Sequence, residues 1–158
     1  MKRCVLVILF AVLIPMSLGA TSATARLDSV TGTARHLGAD PPFPVIQVHI
    51  SALADASGAN PRGYVHAVIK TLDIDDRARV ICLNVVGNRA TVGTEIVKSN
   101  DAALVGRGQL WSVVDNRRAG PDRIAGHPIT PTPPTFCPQL FFNVPAISGN
   151  YVIHDATP

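Results

Sequence analysis

Glutamate is almost missing from this chain: Glu95 is the only one in 158 residues. Paired glutamates of the glycoside-hydrolase kind are therefore excluded, although aspartate pairs stay open. No G-x-S-x-G elbow occurs to set up a nucleophilic serine. No helix-period stretch longer than a turn occurs beyond the N-terminal leader, nor any fixed-period repeat or N-x-S/T glycan acceptor. Charge is sparse, at 16% of residues, and no run of Lys and Arg tracks a phosphate backbone, so nucleic acid is not an expected partner. Cysteine is limited to three residues.

What is present is apolar residues (47%), 13 prolines and 12 glycines. That is too apolar for a disordered chain, and it suits short strands with many turns. Part of the apolar excess is a leader. Lys2 and Arg3 are followed by an unbroken apolar run over residues 5–14 and by Ala23-Thr24-Ala25, the layout of a secretory signal peptide cut after Ala25, with Ala20 as the competing position. The run is short for a spanning helix, which needs about 20 apolar residues, so no stable membrane insertion is expected after cleavage. Removing residues 1–25 takes away Lys2, Arg3 and Cys4, leaving 12 basic against 11 acidic residues and two cysteines. An even count in an exported chain favours a Cys82–Cys137 disulfide over two free thiols.

Residues 26–44 read as a lead-in that could hold a short first strand at Val30–Ala34, ending in the breaker Asp40-Pro-Pro-Phe-Pro; residues 45–158 read as the β-domain. Residues 45–50 and 64–70 alternate, with Ile46, Val48, Ile50, Val65, Ala67 and Ile69 inward and His49 and His66 outward, opposite one another. Gly87-Asn88 sits between two β-rich runs and predicts a hairpin over residues 79–97, with Ile81, Leu83 and Val85 on one face and Val80, Cys82, Asn84 and Val86 on the other. Residues 101–105 could form one helical turn, residues 109–114 a strand with the only tryptophan, and residues 151–154 the last strand after a Ser148-Gly-Asn turn. Residues 127–145 hold six prolines, expected as extended coil pinned by Cys137, with Phe136, Phe141 and Phe142 covering an open end of the core. The expected fold is all-β, a single antiparallel β-sandwich or irregular barrel of about six to eight strands with one disulfide.

Chemistry-bearing clusters are few. Asp115, Asn116 and Asp122 could offer oxygen ligands to a hard cation such as calcium; the competing reading is that they cap their own turn. Asp73, Asp75 and Asp76 read as a solvated charged turn beside Arg77 and Arg79. His49 and His66 would need a third ligand to hold zinc, and none is evident. No cofactor and no catalytic residue is indicated.

Four motifs occur in order: Gly58-x-Asn60-Pro61-x-Gly63, Cys82-Leu-x-Val-x-Gly87-Asn88-x-Ala90, Val114-Asp115-Asn116 with Gly120-Pro121-Asp122, and Gly149-Asn150-x-x-Ile153-His154. Together, over residues 45–155, they resemble a family of small secreted β-domains common in actinobacteria. The resemblance implies an antiparallel β-sandwich or barrel without assigned chemistry. Arg117-Arg118 departs from the family pattern, where glycine and an acidic residue are frequent. The expected function is a secreted, non-enzymatic domain binding a protein or polysaccharide at the cell surface or in the medium. The alternative is a small secreted hydrolase, or a protease inhibitor presenting residues 55–63 or the proline-rich segment.

Overall fold

Strict alternation shapes β2 (Val45–Asp55) and β3 (Arg62–Ile69). In β2 Val48, Ile50, Ala52 and Ala54 are fully buried while the residues between them face out, and Val65 and Ala67 continue the pattern in β3. The computed structural model describes residues 26–38, 43–141 and 143–156. The leader expected at residues 1–25 lies outside them, as does Phe142.

Seven further strands complete the sheet: β1 (Leu27–Leu37), β4 (Ile74–Val86), β5 (Arg89–Lys98), β6 (Gly108–Val114), β7 (Arg123–Gly126), β8 (Val144–Pro145) and β9 (Ser148–His154). All nine pair antiparallel in the order β8-β7-β6-β5-β4-β3-β2-β1-β9, a curled half-barrel. β1 to β8 form a meander, and β9 lies beside β1 at the far end. Only Ala146 and Ile147 separate β8 from β9, so the two ends of the sheet must lie close together. Their amides mark the junction: Ala146 N–H donates to Asp122 O and Ile147 N–H to Arg35 O. The core lines the inner face around Tyr151, the largest fully buried side chain, whose hydroxyl donates to the Val48 carbonyl. Gly32 permits this. A Cβ there would strike the backbone of Asn150 and Tyr151.

Several expectations change. The lead-in holds an eleven-residue strand, β1, paired with β2 over its whole length and with β9 on its other side. The Ser148-Gly-Asn turn is the start of β9. The first hairpin arm does not keep one face. A bulge between Val80 and Cys82 resets the alternation, so Val80, Leu83 and Val85 all face the core, and Cys82 and Asn84 face outward. Both faces of that arm are apolar because each is covered, which the sequence pattern registers without locating the bulge. The Gly87-Asn88 turn forms as expected, with Val86 opposite Arg89.

The proline-rich segment covers the outer face of β4–β6 instead of an open end of the core. The Cys82–Cys137 disulfide fastens it there, Asn84 Nδ2 donates to Cys137 O, and Leu140 N–H donates to Thr91 Oγ1. Gly93 makes the close approach possible, since a Cβ would strike Cys82 Sγ. Phe136 and Phe141 point to solvent, about 70% exposed. Proline-rich backbone has few donors, so beyond the paired backbones of Thr130 and Gly108 the strap is held by its cysteine and by side chains reaching up from the sheet.

His36 on β1 is buried and its Nδ1 meets no partner among the described residues. Burial lowers its pKa to about 4, below the 6.5 it has unfolded. The unfolded chain therefore binds the proton first, and stability is lost as pH falls from about 6.5 towards about 4. The expected loss is about 3 kcal/mol. Urea midpoints measured across that window check it, and His36→Leu should flatten the profile. Asp76 has the opposite sign. Desolvation, opposed by a Ser99 hydrogen bond and reinforced by Asp101 and Asp75, raises its carboxyl above the ordinary range, so its cost to the fold is lifted in acid.

Candidate functional site

The outward-facing residues of β1 to β4 are left open by the strap, and they assemble in rows across the strands. Thr33, His49, His66 and Arg77 are successive partners in one row; Thr31, Ser51, Tyr64, Arg79 and Glu95 form the next. Strand alternation alone puts these polar side chains on one face, and register decides which become neighbours.

His49 lies at the centre of the network. Its Nδ1 is 2.8 Å from Thr33 Oγ1 and its Nε2 is 3.0 Å from the Tyr64 hydroxyl, so the neutral ring donates through one nitrogen and accepts through the other. The Tyr64 and His49 rings also meet, with centroids 5.2 Å apart. Tyr64 nonetheless keeps half of its surface exposed. His66 and His49 are opposite one another as expected, but His66 turns the other way, its Nε2 2.7 Å from Asp75 Oδ1. Arg79 closes the second row with a charge-assisted pair to Glu95 Oε2. Two depressions indent this face. One of about 490 Å³ is lined by Tyr64, His66, Arg77, Arg79 and Val97, the other of about 510 Å³ by Arg35, Gln47, Val68 and Lys70.

The candidate cation ligands have a different part. Asp122 Oδ1 accepts from Asn116 N–H and its Oδ2 from Tyr151 N–H; Asp115 Oδ1 accepts from Arg117 N–H and its Oδ2 from Ile153 N–H. Both carboxylates are buried. They cap their own turn with one oxygen and use the other to satisfy the edge of β9. Asn116 Nδ2 donates to Pro121 O, and Asn88 Nδ2 donates to Asp115 O across from the hairpin turn. Among the described residues no group of three or more His, Cys, Asp or Glu side chains is placed to hold a metal ion. Arg117 adopts φ 53°, the left-handed region that glycine tolerates best.

Asp115 and Asn116 also line a cleft of about 800 Å³ at this end of the sheet, together with the Gly87-Asn88 turn, Arg117 and His154. The loop at residues 55–63 is tied internally, with Ser57, Gly58 and Asn60 at positive φ, Asn60 Nδ2 donating to Asp55 Oδ2 and Arg62 beside the same carboxylate. Sequence reasoning placed His49 and His66 on one face but missed the contributions of Thr33, Tyr64, Arg35 and Arg79. The alternation of residues 31–35 and 62–68 carried that signal, once β1 was known to be a strand.

No helix of the described residues is long and apolar enough to cross a membrane. The chain matches no protein-family model, and neither a curated protein nor a solved structure shows significant similarity to it.

Proposed function

We propose that this chain is a secreted, non-enzymatic binding domain that engages a polysaccharide at the cell surface or in the medium through the open face of β1 to β4. The observation that carries the reading is the unequal treatment of the sheet's outer face. Over β4–β6 it is sealed by a strap and a disulfide; over β1–β4 it is left to solvent with a half-exposed tyrosine braced by His49. A braced aromatic ring on a polar face offers a sugar ring an apolar surface, while the surrounding hydroxyl, imidazole and guanidinium groups offer hydrogen bonds. The leader-like residues 1–25 and the disulfide both suit an oxidising, exported environment.

A second reading, a small hydrolase, would rest on the Thr33–His49–Tyr64 contacts. It is weaker, because both imidazole nitrogens are spent on hydroxyl groups and no carboxylate orients the ring as a nucleophile's base requires.

The test is retention of the exported chain on a panel of cell-wall and capsular polysaccharides. Tyr64→Ala should lower affinity about tenfold or more, the usual scale for a central aromatic contact. It should leave the melting temperature unchanged, because the ring is half exposed. Undiminished retention of Tyr64→Ala would remove the open face from consideration.

A further inference from the structure

We infer that the ligand of the open face is an acidic polysaccharide, bearing carboxylate or sulfate groups at intervals, that runs across the strands; this rests on the binding role proposed above. Charge placement carries it. Beyond residue 25 the chain is nearly balanced, with 12 basic and 11 acidic residues. The outer face of β1–β5 and its bordering turn is not. It carries Arg35, Arg62, Lys70, Arg77, Arg79 and Lys98 against Asp55, Asp73, Asp75 and Glu95.

Three of the four acids are already engaged: Asp55 by Asn60 and Arg62, Asp75 by His66, Glu95 by Arg79; Asp73, beside Lys70 in the turn, has no ion pair among the described residues. Four exposed cations, Arg35, Lys70, Arg77 and Lys98, are left with no ion pair among the described residues. An excess of unpaired positive charge on one face of a near-neutral molecule selects an anionic partner.

Spacing narrows the class. Arg35 on β1 and Arg77 on β4 are three strands apart, about 14 Å at the usual strand separation. Each sits in its own depression, with Lys70 beside the first and Tyr64 beside the second. A compact anion would need these cations gathered at one point. Spread out, they match charges repeated along an extended polymer, and Tyr64, one row beyond Arg77 in the same depression, matches a sugar ring. A nucleic-acid strand would call for several stacking aromatics, and this face has one.

The experiment titrates the exported, disulfide-intact chain with polygalacturonate, chondroitin sulfate, neutral dextran, single-stranded DNA and polyglutamate, at about 50 and about 500 mM sodium chloride. The expected result is binding to polygalacturonate or chondroitin sulfate, weakened about tenfold or more by the higher salt, with little binding to dextran. The two acidic glycans distinguish carboxylate from sulfate recognition, and either supports the inference. The Arg35→Ala/Arg77→Ala double variant should lose about tenfold in affinity without a change in melting temperature, while Arg118→Ala, off this face, should bind as the parent does. Salt-independent binding to dextran that still needs Tyr64 would overturn the acidic-ligand inference and leave the open-face reading standing. DNA or polyglutamate bound as tightly as the glycans would overturn the polysaccharide class. Absence of binding to every probe in the titration, with no retention on the broader polysaccharide panel, would overturn both.

Discussion

Reduction of the Cys82–Cys137 bridge should lower the free energy of unfolding by about 4 kcal/mol, the chain-entropy value for a loop of 55 residues. The loss should fall unevenly. The strap has few backbone hydrogen bonds of its own, and it is held to β4 and β5 by the bridge, by Asn84 and by Thr91. Once the bridge opens, the strap beyond its Thr130–Gly108 pairing should detach before the sheet melts, uncovering Thr91 and Gly93. Hydrogen exchange should then rise first at Leu140, whose amide is bonded to Thr91. Urea denaturation with and without reductant measures the first part, and exchange by residue the second. Alkylation of two thiols in the unreduced protein would refute the bridge, and equal exchange with and without reductant would refute the strap's dependence on it. The face of β1 to β4 proposed to bind ligand lies away from the strap, so any glycan retention should survive reduction at temperatures where the sheet remains folded.

Asp122→Ala should be comparably damaging, at about 4 kcal/mol. The carboxylate is 2% exposed and serves two backbone donors, Asn116 N–H at 2.9 Å and Tyr151 N–H at 2.6 Å. Hydrogen bonds to charged groups contribute about 1.5–3 kcal/mol each, and alanine leaves both donors buried with nothing to meet. Asp122→Asn keeps one acceptor oxygen and should cost roughly half as much. The amide of Tyr151 should lose exchange protection in the alanine variant ahead of the rest of β9. The same pair of variants separates the latch from a cation site. If Asp115, Asn116 and Asp122 held calcium, added calcium would raise the melting temperature of the parent and fail to raise that of Asp122→Ala. The hydrogen bonding predicts that calcium leaves both unmoved.

The latch has a reason in sheet physics. A nine-stranded sheet that does not close has two edges, each with a row of unpaired backbone groups open to association with another chain. Here β8 ends in Pro145, which has no donor to offer, and β9 has its Tyr151 and Ile153 amides taken by aspartates from the β6–β7 turn. Three of the four ordered motifs meet at this point: the Gly87-Asn88 turn, the Asp115–Asp122 turn and β9. The fourth reaches the hairpin too, with Gly58 packed so closely on the Leu83 carbonyl that a side chain would not fit. The motifs therefore describe how the half-barrel is held shut, and the residues proposed to bind ligand lie outside them.

Much of the fold was legible from residue order. Alternation named the inward residues of β2 and β3, Gly87-Asn88 named the hairpin, and the two cysteines beyond the leader-like residues 1–25 named the bridge. These signals are local, or need only a count, so the sequence alone determined an all-β chain with one disulfide. Where a feature depended on residues far apart, the sequence was silent. The Val80/Cys82 bulge depends on how β4 meets β5 and the strap at once; the inward and outward sets of the hairpin arm were misjudged for that reason. β1 looked like a lead-in because glycine, threonine and a buried histidine weaken its pattern, and only pairing on both sides makes it a strand. The aspartates looked like possible ligands because a carboxylate's role is set by what it faces, and Tyr151 and Ile153 lie about 30 to 40 residues away in the chain. The open face has the same origin: His49, Tyr64, Arg35 and Arg77 come from four strands, and only the register of the curled sheet brings them to one face.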